Sequence, residues 1–439
     1  MPPTALYEWM GWVLASGALA IASPSRVPGL FLLVFGGLRL ATEPWRAPPP
    51  LGEPALDPGW LALAWMGAEV ILIETEDRLT TRVWPPFAEA EPGVNRSGGF
   101  NLVNSSKMSC TLNLRDPEGV ALAKQIIAVS DVLVENYSSG TMERMGLGYE
   151  AVQALRPDVV YLSLGAFGRT GPMKDLVGFH SVINLFSGLA SVTGHKGSHP
   201  RIMGGLFPDA FSGCYCVLAL LEALYHRANT GEGQYIEVAM TEVLATILPE
   251  AVMEYTLDGT EPERVGNRHK GKAPHNVFRC LGNENWVAIS VENDAQFKAL
   301  AQVSGNPRWA SDARFANPEA RLSHQDDLEP LIQDWTAELH VHEVVCRLQK
   351  AGVPAGPVLD SAQVLVDPHM VARGFVQSPD HPEVGPRPLG AFPWAVDGGQ
   401  PGIARAAPLL GEHNQKVIQE LLQVPDDEYT RLLDSGVIS

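Results

Sequence analysis

The chain has 439 residues, 45% hydrophobic and 19% charged, with a formal net charge of −18. That length exceeds one ordinary compact core and suits two units, and the composition excludes a disordered polymer. The acidity argues against non-specific attraction to nucleic acid or anionic membrane. Five cysteines with no C-x-x-C pair argue against a disulfide framework or a structural zinc site, so no metal is expected and the reducing cytoplasm is the expected compartment.

In chain order, Trp12 to Ala22 and Leu30 to Phe35 are apolar. No Lys or Arg precedes Arg26, so the basic region of a signal peptide is missing. Ser23, Pro24, Ser25, Arg26 and Pro28 interrupt the run short of a membrane span. Residues 1–36 are therefore read as an apolar extension holding a buried or interface helix. Trp60 to Trp65 reads as helical, and Gly67 to Glu74 is an apolar run ending in a carboxylate, a buried strand. Asp116-Pro117-Glu118 is a helix start, with Val120, Ala123, Ile126 and Ile127 at helical spacing. Strand Asp131 to Glu135, helix Tyr149 to Leu155 and strand Val159 to Leu164 follow. Such alternation predicts βαβ units, a parallel sheet and right-handed connections.

A long apolar helix around Ser212 to Arg227 closes at Asn229 to Gly233, and Thr241 to Tyr255 reads as a connecting helix. Gly266 to Pro274 is a basic, Gly-containing loop. Strand Trp286 to Val291 and helices after Asn293 predict a smaller α/β unit, and Ala351 to Pro357 reads as a linker. The tail carries an amphipathic helix, Gln415 to Leu422. No H-E-x-x-H, G-x-S-x-G or dinucleotide G-x-G-x-x-G occurs. Thr230 to Gln234 lacks P-loop spacing and is a turn. Cys214 and Cys216 share an apolar stretch and are expected to be buried and unreactive.

Several segments, in order, carry a likeness. They include Met66 to Ile71, Asn104 to Leu114, Glu135-Asn136-Tyr137, Met145 to Tyr149 and Gly165 to Pro172. Ser187-Gly188-Leu189, Thr193-Gly194, Thr230 to Gln234, Gly352 to Pro357 and Leu410 to His413 continue it. Together they resemble the CaiB/BaiF family of class III coenzyme A-transferases, and their ordered co-occurrence makes the likeness specific. The resemblance implies an α/β fold with a Rossmann-like large domain, a smaller α/β domain and an interlocked dimer. By that analogy residues 37–245 and 355–439 form the large domain and 255–345 the small one. It also implies acyl-CoA and a small carboxylic acid as reactants, no cofactor beyond coenzyme A as substrate, and a homodimer or a heterodimer with a homologous chain.

CoA exchange between acids uses a carboxylate that attacks the thioester and forms a mixed anhydride. The resemblance places that aspartate eight residues before the Gly of Ser-Gly-Leu, where this chain has His180. His180 is open to three readings: a structural histidine, a local acid or base, and a nucleophile forming an acyl-imidazole. Asp209 resembles the aspartate of related 2-methylacyl-CoA racemases, whose histidine matches Phe179 rather than His180. A plain helix cap is the other reading of Asp209. The resemblance further implies CoA contacts from Asn104 and Lys107, with Arg39, Arg78 and Arg82 as additional candidates. Gly266, Asn267 and Gly271 sit where relatives carry a mobile Gly-rich lid. Three functions therefore compete: CoA transfer, either with unusual groups of this chain or with a partner chain supplying the missing acid; racemization, isomerization or lysis by His180 and Asp209; and a non-catalytic CoA-binding subunit.

Overall fold

The structure, a computed structural model, describes the backbone of residues 31–35 and then residues 68–439 apart from 77, 78, 80, 205, 396 and 401. The expected helices at Trp12 to Ala22 and Trp60 to Trp65 lie outside the described residues.

Six parallel strands form the main sheet: β1 (Phe31–Phe35), β2 (Glu69–Glu74), β3 (Met108–Thr111), β4 (Val132–Glu135), β5 (Val160–Gly165) and β6 (Gln234–Ala239). Their order is β3-β2-β1-β4-β5-β6. β4 and β5 are buried along their whole length, as are Val70 to Ile73 of β2. A parallel sheet covered on both faces demands such continuous apolar strands. One face carries the helices Pro117–Val129 and Tyr149–Leu155, and Val417, Ile418, Leu432, Val437 and Ile438 from the end of the chain join that core. On the other face Ile183, Cys216, Leu220, Met240 and Leu244 pack against Val134, Val160 and Leu162.

β1 corrects the expectation for the N-terminus. Residues 31–35 are the strand between β2 and β4, not part of an extension or a helix. A five-residue apolar run suits either structure, and periodicity alone does not separate them. β3 and β6 were not foreseen, because β3 mixes polar with apolar residues.

A second sheet, β7 (His275–Arg279), β8 (Trp286–Ser290) and β9 (Ala355–Val358), is antiparallel. Phe278, Val287 and Ile289 pack there on Phe297, Leu300, Leu328, Ile332, Val344 and Leu348. The expected linker is thus partly structure: Gly352 turns at φ 77, Val353 is buried, and β9 pairs with β8. Pro357 is tolerated because β9 is an edge strand. The expected connector Thr241 to Tyr255 is two helices, Met240–Thr246 and Pro249–Asp258, divided where Pro249 has no amide hydrogen to continue the first. The Gln415–Leu421 helix is wider than an α-helix at its end, where the Leu422 amide donates to Val417 O five residues back at 3.1 Å. Cys214 is exposed rather than buried, since it lies on the solvent side of the Phe207–Thr230 helix.

Three histidines have imidazoles pushed below their ordinary range, in each case chiefly by burial: His275, His381 and His413. His381 also accepts the Glu383 and Val384 amides on Nδ1, at 3.1 and 3.2 Å. The unfolded chain therefore binds protons more readily at these positions. Their stability contribution is complete above the unfolded imidazole value of about 6.5 and is lost as pH falls through the lower folded values. The urea midpoint should fall between about pH 7.5 and about pH 5. His381→Asn, which keeps an acceptor for the two amides, should flatten that slope. A wild-type midpoint that does not change over this range would refute the assignment.

Candidate active site

Open α/β sheets bind ligands at the carboxyl ends of their strands, near the point where strand order reverses. Here the order reverses between β1 and β4. A cavity of about 100 Å³ opens at the ends of β4, β5 and β6. Asn136 to Ser139 follow β4, Leu164 to Arg169 end and follow β5, and Met240 follows β6; Lys174 to His180, Ile183 and Asp209 complete the wall.

His180 is the first residue of the His180–Phe186 helix, and its side chain is 9% exposed. Its Nε2 lies 3.1 Å from Met203 O and 3.4 Å from Asn184 Nδ2. A carbonyl only accepts, so the Met203 contact puts a proton on Nε2. Nδ1 makes no hydrogen bond and lies 3.9 Å from Asp209 Oδ2. The Asp209 side chain is 4% exposed. It stands in the first turn of the Phe207–Thr230 helix, whose N-cap is Leu206, so Asp209 is not the N-cap itself. That position favours a carboxylate through the helix dipole. Asn184 Oδ1 and Ser212 Oγ are also buried without a hydrogen bond, one turn beyond His180 and Asp209 respectively.

Beneath the cavity, Glu135 is buried. Burial pushes its carboxyl up, while Arg169, Ser163 and the Tyr137 amide pull it back. Arg169 Nη2 reaches both carboxylate oxygens, at 2.9 and 3.1 Å.

The other predicted residues lie elsewhere. Arg39 and Arg78 are outside the described residues. Asn104 and Lys107 are buried in the turn before β3, with Lys107 Nζ donating to Asn104 Oδ1 at 3.0 Å, and neither lines the cavity. Arg82 corrects the expectation of a CoA contact. Its guanidinium is 1% exposed and grips Glu74 at 2.7 and 2.8 Å. It also donates to Asn95 Oδ1 and Pro408 O and lies over the Phe100 ring, so no donor points to solvent for a phosphate. Gly266 and Asn267 line a separate cavity of about 580 Å³ against the second sheet. The Gly266 amide donates to Gly194 O at 2.8 Å. The Gly271 amide donates to His269 Nδ1 at 2.9 Å. The loop's cations are paired within the chain: Arg268 with Glu329 and Asp326, Lys270 with Glu254, and Lys272 with Glu292. Ser138 and Ser139, which stand at positions that hold CoA in relatives by the family likeness, do line the cavity, whereas sequence reasoning missed Lys174. Its position just beyond the Gly171-Pro172 turn was the available signal.

Fold and site together define an α/β enzyme of the Rossmann-like type with a buried carboxylate and a part-buried imidazole at the sheet's carboxyl edge. A profile of CoA-transferase family III matches residues 60–414. The chain is 33% identical to the succinate–glutarate CoA-transferase of Agrobacterium fabrum, over 82% of this chain and 90% of that protein. It is 34% identical to the beta subunit of succinyl-CoA–L-malate CoA-transferase of Chloroflexus aurantiacus, over 76% and 83%. A solved CaiB/BaiF family protein from Brucella suis superposes with a TM-score of 0.77 at 31% identity, covering 90% of this chain and 98% of that one. The chain belongs to CoA-transferase family III, and CoA transfer is its general chemistry.

Removing one partner of a buried ion pair strands the other charge. Arg82→Ala should therefore destabilise the fold by about 3–5 kcal/mol, read as a lowered urea midpoint. A loss confined to CoA affinity, with the midpoint unchanged, would restore Arg82 to the ligand site.

Proposed function

We propose that this chain moves CoA from an acyl-CoA thioester to a small carboxylic acid, with Asp209 as the acylated carboxylate and His180 beside it. The carrying observation is the buried Asp209 carboxylate in the cavity, 3.9 Å from the His180 ring. The resemblance suggested that position 180 should bear the acid. The cavity contains its own carboxylate, so no partner chain has to supply one. The other carboxylate lining the cavity, Asp175, is exposed.

The chemistry balances without an added cofactor. An Asp209 oxygen attacks the thioester carbonyl, the C–S bond breaks, and CoA leaves as thiolate. The thiolate then attacks the aspartyl carbonyl of the mixed anhydride and releases the donor acid. The acceptor carboxylate repeats these steps in reverse and departs as the new thioester. With Nε2 held by Met203 O, the polar Nδ1 edge of His180 faces Asp209 at 3.9 Å, where it helps orient the carboxylate. Closing water out of so small a cavity protects the anhydride from hydrolysis.

The spacing disfavours racemization. Two bases acting on opposite faces of one α-carbon each need to approach it within about 3 Å, and 3.9 Å between Nδ1 and Oδ2 leaves no room for a carbon between them. The Agrobacterium and Chloroflexus relatives named above are CoA-transferases for dicarboxylic acids, and Lys174 at the cavity suits the second carboxylate of such a substrate. We also propose a dimer, with this chain or a homologue. Tyr215, Leu218 and Tyr225 of the Phe207–Thr230 helix are exposed, as are Leu185, Phe186, Met253, Tyr255 and Leu257 nearby in sequence. So much exposed apolar surface marks an interaction face. Among the described residues that helix alone is long and apolar enough to cross a membrane; a partner chain would cover its outer face equally well. We also propose a cytoplasmic location, where a soluble acyl-CoA reactant is at hand.

The test is CoA exchange by the purified chain between succinyl-CoA and glutarate, with hydroxylamine added to trap an activated aspartate. Asp209→Asn should lower exchange by at least about 10³-fold and abolish trapping at that residue. His180→Ala should lower it by about 10²-fold. Full exchange by Asp209→Asn would sink the assignment. Entry of solvent deuterium at the acyl α-carbon without exchange would favour the racemase instead.

A further inference from the structure

The wall between β5 and His180 is the segment 166–178, and most of its outer part is exposed: Thr170 to Pro172 and Lys174 to Val177. Little apolar burial holds it. Ser139 Oγ donates to Lys174 O at 2.6 Å and Phe167 packs edge-on against Phe186, and a polar clamp at the entrance and a steric one at the exit fix its two ends.

At the entrance, Glu237 of β6 accepts three hydrogen bonds on Oε1. They come from the Arg169 amide at 2.5 Å, the Thr170 amide at 3.0 Å and the Thr170 hydroxyl at 3.0 Å. The Arg169 side chain runs the other way. Nε donates to Ser163 Oγ at 2.5 Å, and Nη2 donates to Leu164 O at 2.9 Å and to the Glu135 carboxylate. Three adjacent strands, β4, β5 and β6, thus hold two consecutive loop residues. Gly168 turns at φ 82, and a Cβ there would meet Glu237 Oε1 at 2.7 Å, so the carboxylate is seated directly against the turn. At the exit, a Cβ on Gly178 would fall 2.2 Å from Ala166 Cβ. The strand leaving the loop therefore touches the strand entering it, two residues before His180. Ala166 is itself held, since its carbonyl accepts the Thr241 amide at 3.1 Å.

We infer that Glu237 and Arg169 are positioning residues for CoA transfer. They act through the 166–178 segment to set His180 against Asp209, and the inference rests on the roles proposed above for those two residues. Neither Glu237 nor the Arg169 guanidinium is asked to touch the reacting atoms. Clamping both ends of an otherwise exposed loop reduces the conformational freedom of its exit. An error of about 1 Å in a reacting group can cost 10²-fold in rate. The effect belongs on kcat, because the misplaced group is the one that assists the chemical step, while acyl-CoA binding along the strand ends remains.

The experiment compares steady-state exchange by the full chain with its Glu237→Ala, Glu237→Gln and Thr170→Val variants. Glu237→Ala should lower kcat by at least about tenfold and move the acyl-CoA KM by less than about threefold. Glu237→Gln, which keeps the Oε1 acceptor, should restore most of kcat. Thr170→Val removes one of the three bonds, keeps the fold testable if Glu237→Ala precipitates, and should give an intermediate kcat. An unchanged kcat in both Glu237→Ala and Thr170→Val, or a Gln variant no better than Ala, overturns the inference. Failure of the underlying reading looks different: Asp209→Asn then remains active in a chain whose clamp is intact.

Discussion

A parallel sheet buried on both faces can offer a ligand only the ends of its strands. That constraint organises this molecule. β4 and β5 have no solvent-facing side, so their side chains serve packing and, at Glu135 and Ser163, hold Arg169, and chemistry is pushed to the turns after Glu135, Gly165 and Ala239. Strand order reverses beside β4, and the cavity opens at the ends of β4, β5 and β6. Helices on one face then deliver the reactive groups: the His180–Phe186 helix brings an imidazole and the Phe207–Thr230 helix a carboxylate.

Charge is distributed with the same economy. Although the chain carries −18 overall, several of its arginines are spent on internal joints rather than on ligands. Arg82 ties β2 to the returning segment through Glu74 and Pro408 O. Arg169 ties β4 and β5 to the loop beyond them. Arg321, 2% exposed, bonds Asp294 and the Ala273 carbonyl in the second unit. A planar guanidinium with five donors is suited to such junctions, where several carbonyls and a carboxylate converge. A cation close in sequence to a strand end is thus no guide to phosphate binding until its partners are known.

The helices and strands with a strong local signal were legible. Asp116 caps its helix as its sequence suggested, accepting the Glu118 amide at 2.8 Å, and β2, β4 and β5 stand where continuous apolar runs ended in Glu74, Glu135 and Gly165. The misreadings share a cause. β1 is too short for periodicity to separate strand from helix. β9 was hidden by Gly and Pro, which mark linkers but also fit an edge strand. Cys214 and Cys216 alternate within one apolar run, yet a helix turns neighbours two apart to different faces, so one is exposed and the other buried.

From the sequence alone came the fold class, the family likeness and the identity of His180 and Asp209 as residues worth attention, because local pattern and motif order survive without coordinates. Their partnership did not. The two are 29 positions apart in the chain, and spacing along a chain says nothing about which helix ends meet over a sheet. Tertiary packing alone decided that the imidazole and the carboxylate share one cavity, that Met203 orients the ring, and that Arg82 faces inward. Each is a long-range approach set by how helices stack on strands, and no stretch of neighbouring residues encodes it.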